Sequence, residues 1–195
     1  MKYFTQLKAA LFLVCLTPLA RLSWYGYSNQ LGPNPIEFIT RSLGTWTLIF
    51  LLITLTITPL RNLSGWFWLI KLRRMAGLFT FFYALLHFIT YIWLDQFFSL
   101  NDIYKDVIKR PFITIGFAAF VLLIPLAITS SNRIMKKLGG KRWQMLHRLI
   151  YIIAIFGVLH YWWLVKKDIT QPAIYAALLS VLLGYRIVVA KLKTK

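Results

Sequence analysis

Residues 146–165 read LHRLIYIIAIFGVLHYWWLV, an apolar run with a histidine near each end. A helix of about 20 apolar residues is what it takes to cross a hydrocarbon core. His147 and His160 stand 13 residues apart in this run, about 20 Å along a helix axis at 1.5 Å per residue. Five further stretches share its length and polarity, near 9–27, 43–60, 75–94, 112–130 and 172–190. The pattern predicts an all-α membrane protein, a six-transmembrane-helix bundle forming one domain over residues 1–195. Pro111 and Pro172 fall at span starts, where a helix tolerates proline, and Pro59 at a span exit. Pro125, inside the fourth span, is expected to kink it. Trp24, Tyr25, Tyr27, Trp66, Trp68, Trp93, Trp143, Trp162 and Trp163 cluster near span ends, as an interfacial aromatic belt does.

Composition agrees. Hydrophobic residues make up 59% of the 195 and charged ones 14%, against about 25% in soluble domains. That excludes disordered, collagen-like and coiled-coil chains. The net charge of +18 would suggest nucleic acid in a soluble protein. Here the basic residues separate apolar runs, so they read as membrane anchors. The single cysteine, Cys15, excludes an internal disulfide.

The loops set the orientation. The N-terminus, the second and fourth loops and the tail carry 16 Lys and Arg, and the other side carries 7. All five acids (Glu37, Asp95, Asp102, Asp106 and Asp168) lie on that second side. The positive-inside rule then places both termini in the cytoplasm, as expected for an inner-membrane, multi-pass protein. The other reading of the first stretch is a signal peptide cut after Pro18-Leu19-Ala20, which leaves the remaining spans in the same orientation.

The three histidines, His87, His147 and His160, all fall in or at the edge of spans. Ionisable groups there are costly and are functional candidates by default; the plain alternative is a histidine bonded to a neighbouring helix. Spans three and five run parallel. His87 lies about 18 Å into its span and His160 about 21 Å into its own, so the two share a depth in the outer half. Imidazoles so matched can ligate a haem iron from both faces. His147, much nearer the cytoplasm, cannot join them in one zinc site. No carboxylate lies at mid-membrane depth to complete a di-iron or proton-relay site. Haem b suits the set, and without CxxCH there is no c-type attachment. Span three offers Arg73, Arg74 and Met75 at the depth of His147, and no histidine. A second haem there needs another sixth ligand or stays five-coordinate. Arg73, Arg74, Arg142 and Arg148 are candidate propionate partners, or simply cytoplasmic anchors. Gly157 and Gly77 are small residues that let a helix or a flat macrocycle approach.

Longer stretches carry a resemblance. They are Thr58-Pro59-Leu60-Arg61, Arg73-Arg74-Met75-Ala76-Gly77-Leu78, Tyr83-Ala84-Leu85-Leu86-His87 and Lys109-Arg110-Pro111-Phe112-Ile113-Thr114-Ile115-Gly116. Pro125-Leu126-Ala127-Ile128-Thr129-Ser130, Trp143-Gln144-Met145-Leu146-His147-Arg148-Leu149-Ile150-Tyr151 and Leu159-His160-Tyr161 follow. Together they resemble the MsrQ (YedZ) family, the haem-binding membrane subunit of bacterial methionine sulfoxide reductase systems, within the ferric-reductase-like transmembrane domains. The resemblance implies electrons arriving from the quinone pool or a cytosolic flavin donor, crossing on haem b, and reducing a periplasmic molybdenum-cofactor subunit. It also implies FMN, for which the sequence shows no phosphate-cradling loop. An electron-transfer subunit without substrate chemistry of its own is expected. Only a short Lys-rich tail follows the last span, so the donor is expected on a separate chain. The alternatives are a cytochrome b serving another dehydrogenase, a ferric reductase, and a transporter or non-haem scaffold. The last is disfavoured by the lack of mid-membrane carboxylates and of broken half-helices.

The charge bias generates a topology prediction. A reporter active only in the periplasm will be active when fused near Asp102 and silent at the C-terminus. Periplasmic activity at the C-terminus would reverse the orientation.

Overall fold

The computed structural model describes residues 2–193; Lys195, counted above with the basic tail, lies outside them. Among these residues all regular structure is helical. The order is α1 (Lys2–Tyr27), α2 (Pro35–Ser64), a 3-10 segment (Phe67–Leu72) leading into α3 (Arg73–Thr90), and a π-helical turn (Tyr91–Asp95) that prolongs α3. Then come α4 (Leu100–Lys109), α5 (Pro111–Ile128), α6 (Asn132–Leu138), α7 (Gly140–His147), α8 (Leu149–Leu164) and α9 (Thr170–Lys193). Six helical stretches are long and apolar enough to cross a membrane: Tyr3–Tyr27, Pro35–Ser64, Phe67–Asp95, Pro111–Ile128, Gly140–Leu164 and Thr170–Leu192. They match the six spans read from the sequence.

The differences are local and have causes. α2 starts well before residue 43 because Asn34 caps it, accepting the Glu37 N–H at 3.3 Å, with Pro35 in the first turn. α2 ends where Gly65, at φ 73°, takes the left-handed conformation that glycine adopts without steric cost. The acidic loop between spans three and four holds a helix, α4, capped by Ser99. Span five is two helices, with a turn at Arg148 between α7 and α8. Pro125 sits one turn from the end of α5, where Thr129 Oγ1 donates back to its carbonyl at 2.6 Å. The proline therefore lies toward the helix exit.

α2 is the central helix. One side of it, through Leu48, Leu51 and Leu55, packs with Leu123 and Leu126 of α5, Ile153 and Val158 of α8 and Leu179 of α9. The other, through Leu43 and Phe50, packs with Phe79 and Tyr83 of α3 and Leu22 of α1. Tyr83 is 0% exposed, stacks on Phe50 at 5.2 Å, and donates its hydroxyl to the Cys15 carbonyl at 2.8 Å, which pins α1 to α3. α2 pairs chiefly with α3 and α5 with α8, so the bundle is built on two antiparallel helix pairs.

Prolines inside the spans release carbonyls, because proline has no N–H to donate to the residue four before it. Pro18 frees the Val14 carbonyl, and Thr17 Oγ1 donates to it at 2.8 Å. Pro59 frees the Leu55 carbonyl, and Arg186 of α9 reaches across to donate from Nη2 at 2.5 Å. The same guanidinium donates to the Leu182 carbonyl at 2.8 Å and lies 5.4 Å from the Tyr151 ring centre. Arg186, counted from the sequence among the basic loop residues, is thus an internal tie.

Replacing Arg186 by Leu leaves the Leu55 carbonyl without a donor and should cost about 1–3 kcal/mol, read as a lower unfolding midpoint in detergent. Adding Pro59→Ala restores a local N–H and should recover part of that loss. Two independent, additive losses would show that the proline and the arginine are not coupled.

Candidate functional site

His87 lies in the last turn of α3 and His160 four residues before the end of α8. The structure brings them together, with ring centres 6.1 Å apart and planes at 77°. Each ring is held by a backbone carbonyl of the helix that pairs with its own. His87 Nδ1 lies 2.9 Å from the Thr40 carbonyl of α2, and His160 Nδ1 2.7 Å from the Phe112 carbonyl of α5. A carbonyl only accepts, so each Nδ1 carries the proton and each Nε2 keeps its lone pair. That is the tautomer of a metal-ligating imidazole whose other nitrogen is oriented by a partner.

The dimensions fit a metal between the rings. A metal–imidazole bond of about 2 Å, plus about 1 Å from nitrogen to ring centre, puts two ligating rings about 6 Å apart. Two glycines clear the space behind them. A Cβ on Gly44 would lie 3.1 Å from His87 Cε1, and one on Gly116 would lie 2.6 Å from His160 Nδ1. Thr40, the residue whose carbonyl holds His87, has a buried hydroxyl, Oγ1, with no hydrogen-bond partner among the described residues. Such an orphaned donor suits a polar substituent of a bound group. The surroundings are apolar and aromatic: Phe88 stacks on Phe120 of α5 at 4.5 Å and lies tilted 5.8 Å from Phe117, and Phe112 lies 6.2 Å from His160. No group of three or more His, Cys, Asp or Glu gathers among the described residues. The donor set is therefore two neutral imidazoles in an apolar slot, which suits a low-spin haem iron.

His147 is not brought to this pair. It ends α7 at the far end of the span, stacked on Trp143 with centres 4.0 Å apart. Its Nε2 lies 3.0 Å from Thr129 Oγ1, while Trp143 Nε1 donates to the Thr129 carbonyl at 2.9 Å. Trp143, read from the sequence as an interfacial aromatic, is part of this bonded cluster. No second imidazole faces His147. Arg73 and Arg74 are its charged neighbours. Both stand at the start of α3, 14 and 13 residues before His87, about 20 Å down the helix. They are out of reach of a group seated on His87 and His160. Arg74 donates to Asn132 Oδ1 at 2.5 Å, and Arg142 and Arg148 are exposed. Met75 packs into the α1–α2–α3 cluster. Gly157 faces Leu48 and Leu51, and Gly77 faces Thr54. The glycines that meet the histidines are Gly44 and Gly116, a role the sequence reading did not assign. A signal for them exists in the chain: each stands one helical turn after the residue whose carbonyl holds a histidine, and those carbonyls precede their histidines by 47 and 48 residues.

Comparison with known proteins gives a consistent result. A family model described as "Ferric reductase like transmembrane component" matches residues 40–158, which take in α3 and α5 and most of α2 and α8. Among curated relatives, the protein-methionine-sulfoxide reductase haem-binding subunit MsrQ of Herminiimonas arsenicoxydans is 60% identical over 185 residues, covering 94% of this chain and 85% of that protein. The protein of the same name from Azospira oryzae is 53% identical, covering 96% and 81%, and that of Rhodospirillum rubrum is 51% identical, covering 94% and 88%.

Proposed function

This chain belongs to the MsrQ family of haem-binding subunits, within the ferric-reductase-like transmembrane proteins, and we propose that it passes electrons across the bacterial inner membrane on haem b. The electrons would come from the quinone pool or a cytosolic flavin donor. They would go to a periplasmic molybdenum-cofactor subunit that reduces methionine sulfoxide in proteins. The chain would act as one unit over residues 1–195, with both termini in the cytoplasm and no substrate chemistry of its own. FMN enters this reading through the family alone.

The observation that carries the proposal is the pair of imidazoles, 6.1 Å apart, each with Nδ1 tied to a carbonyl. His87 and His160 would hold the iron as axial ligands. Haem supplies a one-electron carrier whose potential follows its axial ligands and surroundings. The protein supplies position and dryness. The Thr40 and Phe112 carbonyls hold the rings against rotation, and Phe88, Phe117 and Phe120 line the α3–α5 seam with aromatic rings. Both histidines stand toward the end of the bundle that carries Asp95, Asp102 and Asp106, the side read as periplasmic. An electron there is close to an acceptor docked on that face.

His147 supports a second, inner haem in the sequence reading, with Arg73, Arg74 and Arg148 as propionate partners. Such a group requires the ring to exchange Thr129 for iron and to accept a non-histidine group opposite. What supports it is the distance from the outer pair to the cytoplasmic side, about 20 Å along α8, which one haem leaves to be crossed.

Purification in detergent with haem quantitation tests both parts. His87→Ala or His160→Ala should abolish the low-spin spectrum and electron delivery; full haem content and activity in either variant would remove the pairing. Two haems per chain, falling to one in His147→Ala, is the result expected for an inner site. One haem per chain, with His147→Ala unchanged, would mean that site does not exist. Co-purification with the periplasmic molybdoenzyme separates the sulfoxide reductase role from a cytochrome b serving another dehydrogenase.

A further inference from the structure

The two histidine seats are copies of one local device. In α2, Thr40 offers its carbonyl to His87 and Gly44 follows four residues on. In α5, Phe112 offers its carbonyl to His160 and Gly116 follows four residues on. In a helix the carbonyl of residue i already accepts from the N–H of residue i+4. Its second lone pair points outward past that same residue. A neighbouring ring reaches this lone pair only by lying across residue i+4. Any side chain there would stand in the way.

The distances show how strongly. A Cβ at position 116 would meet His160 at Nδ1 2.6 Å, Cε1 2.8 Å and Cγ 3.2 Å. One at position 44 would meet His87 at Cε1 3.1 Å, Nδ1 3.3 Å and Nε2 3.6 Å. The first contact is impossible without displacing the ring, and the second needs a small shift. The other glycines of the spans differ. A Cβ on Gly157 would meet only leucine side chains at 3.7 and 3.8 Å, which is ordinary contact, and one on Gly184 would meet nothing.

We propose that Gly44 and Gly116 are positioning residues: they admit each imidazole to the carbonyl one turn before them and thereby set the ring's tautomer, orientation and basicity. The inference rests on the haem reading for its effect on the cofactor, though not for the contact itself. An Nδ1–H bonded to a carbonyl makes Nε2 the more basic donor, and a more basic axial ligand favours the ferric over the ferrous iron. Loss of that bond should therefore raise the midpoint potential. The effect should be graded, largest for Gly116→Ala, smaller and of the same sign for Gly44→Ala, and nil for Gly157→Ala.

The test is a redox titration of the haem protein purified in detergent, with the low-spin electron paramagnetic resonance signal recorded on each variant. Upward shifts in the order Gly116→Ala, then Gly44→Ala, with altered low-spin signals, support the proposal. So does loss of haem from Gly116→Ala together with a shifted potential in Gly44→Ala, which covers a Gly116 variant that fails to fold. Potentials and signals of both variants equal to those of Gly157→Ala would overturn it, even if their melting temperatures fall, since that outcome means simple packing. Nitrogen-15 spectra of histidine-labelled protein give a second readout that needs no haem. The wild type should show Nδ1–H tautomers at both rings, and Gly116→Ala should lose one. A wild type with those tautomers but no haem would sink the haem reading and leave the seats standing. Nε2–H tautomers in the wild type would sink the seats.

Discussion

In an apolar solvent a polar atom has only the protein to bond with, and the bundle is arranged around that constraint. Two departures from regular helix hydrogen bonding have a named partner. The Val14 carbonyl, freed by Pro18, takes Thr17; the Leu55 carbonyl, freed by Pro59, takes Arg186. The ring nitrogens obey the same rule. His87 and His160 give their protons to Thr40 and Phe112, and His147 bonds Thr129. A histidine bonded at Nδ1 by a fixed carbonyl has one free nitrogen and one orientation. The requirement to satisfy buried polar groups thus also leaves a nitrogen with the chemistry of a ligand.

Two helix pairs turn that local preparation into a site. α2 with α3, and α5 with α8, are each antiparallel, so each places an early carbonyl and glycine against a late histidine. α2 joins the two pairs: its leucines share one core cluster with residues of α5 and α8, and its aromatic side packs on α3. The rings then meet at 6.1 Å because their seats are fixed, with no direct bond between them. The cost of such a site is two glycines inside helices, each worth roughly 1 kcal/mol against alanine. A separation of 43 residues from glycine to histidine in one pair and 44 in the other places both contacts at one level.

Most of the architecture is legible in the sequence because the membrane simplifies it. Long apolar runs locate all six spans, and the axial rise alone puts His87 and His160 at one depth. Parts that depend on distant partners are not legible. Gly157 attracts notice because it precedes His160 by three residues, yet it faces Leu48 and Leu51. Gly116 looks like any helix glycine until α8 lays an imidazole over it. The turn at Arg148 is hidden because the apolar pattern runs on through it. Arg186 reads as a basic anchor until the missing N–H of Pro59 is matched with the carbonyl it leaves behind. In each case the deciding neighbour lies many residues away, where local pattern carries no signal.

The same contrast separates His147 from the other two. His87 and His160 each rest across a glycine and keep Nε2 clear of protein hydrogen bonds. His147 has a tryptophan ring 4.0 Å away on one face and a hydroxyl on Nε2. It also sits beside a turn, at Arg148, where the helix is interrupted. Its Thr129 partner is a side chain, unlike a backbone carbonyl in mid-helix, and Thr129 Oγ1 already donates to the Pro125 carbonyl at 2.6 Å, so toward His147 it accepts from Nε2–H. The His87–His160 pair is therefore held by backbone carbonyls, whereas His147 is held by side chains. The two ends of the bundle thus differ in how their histidines are held as well as in charge.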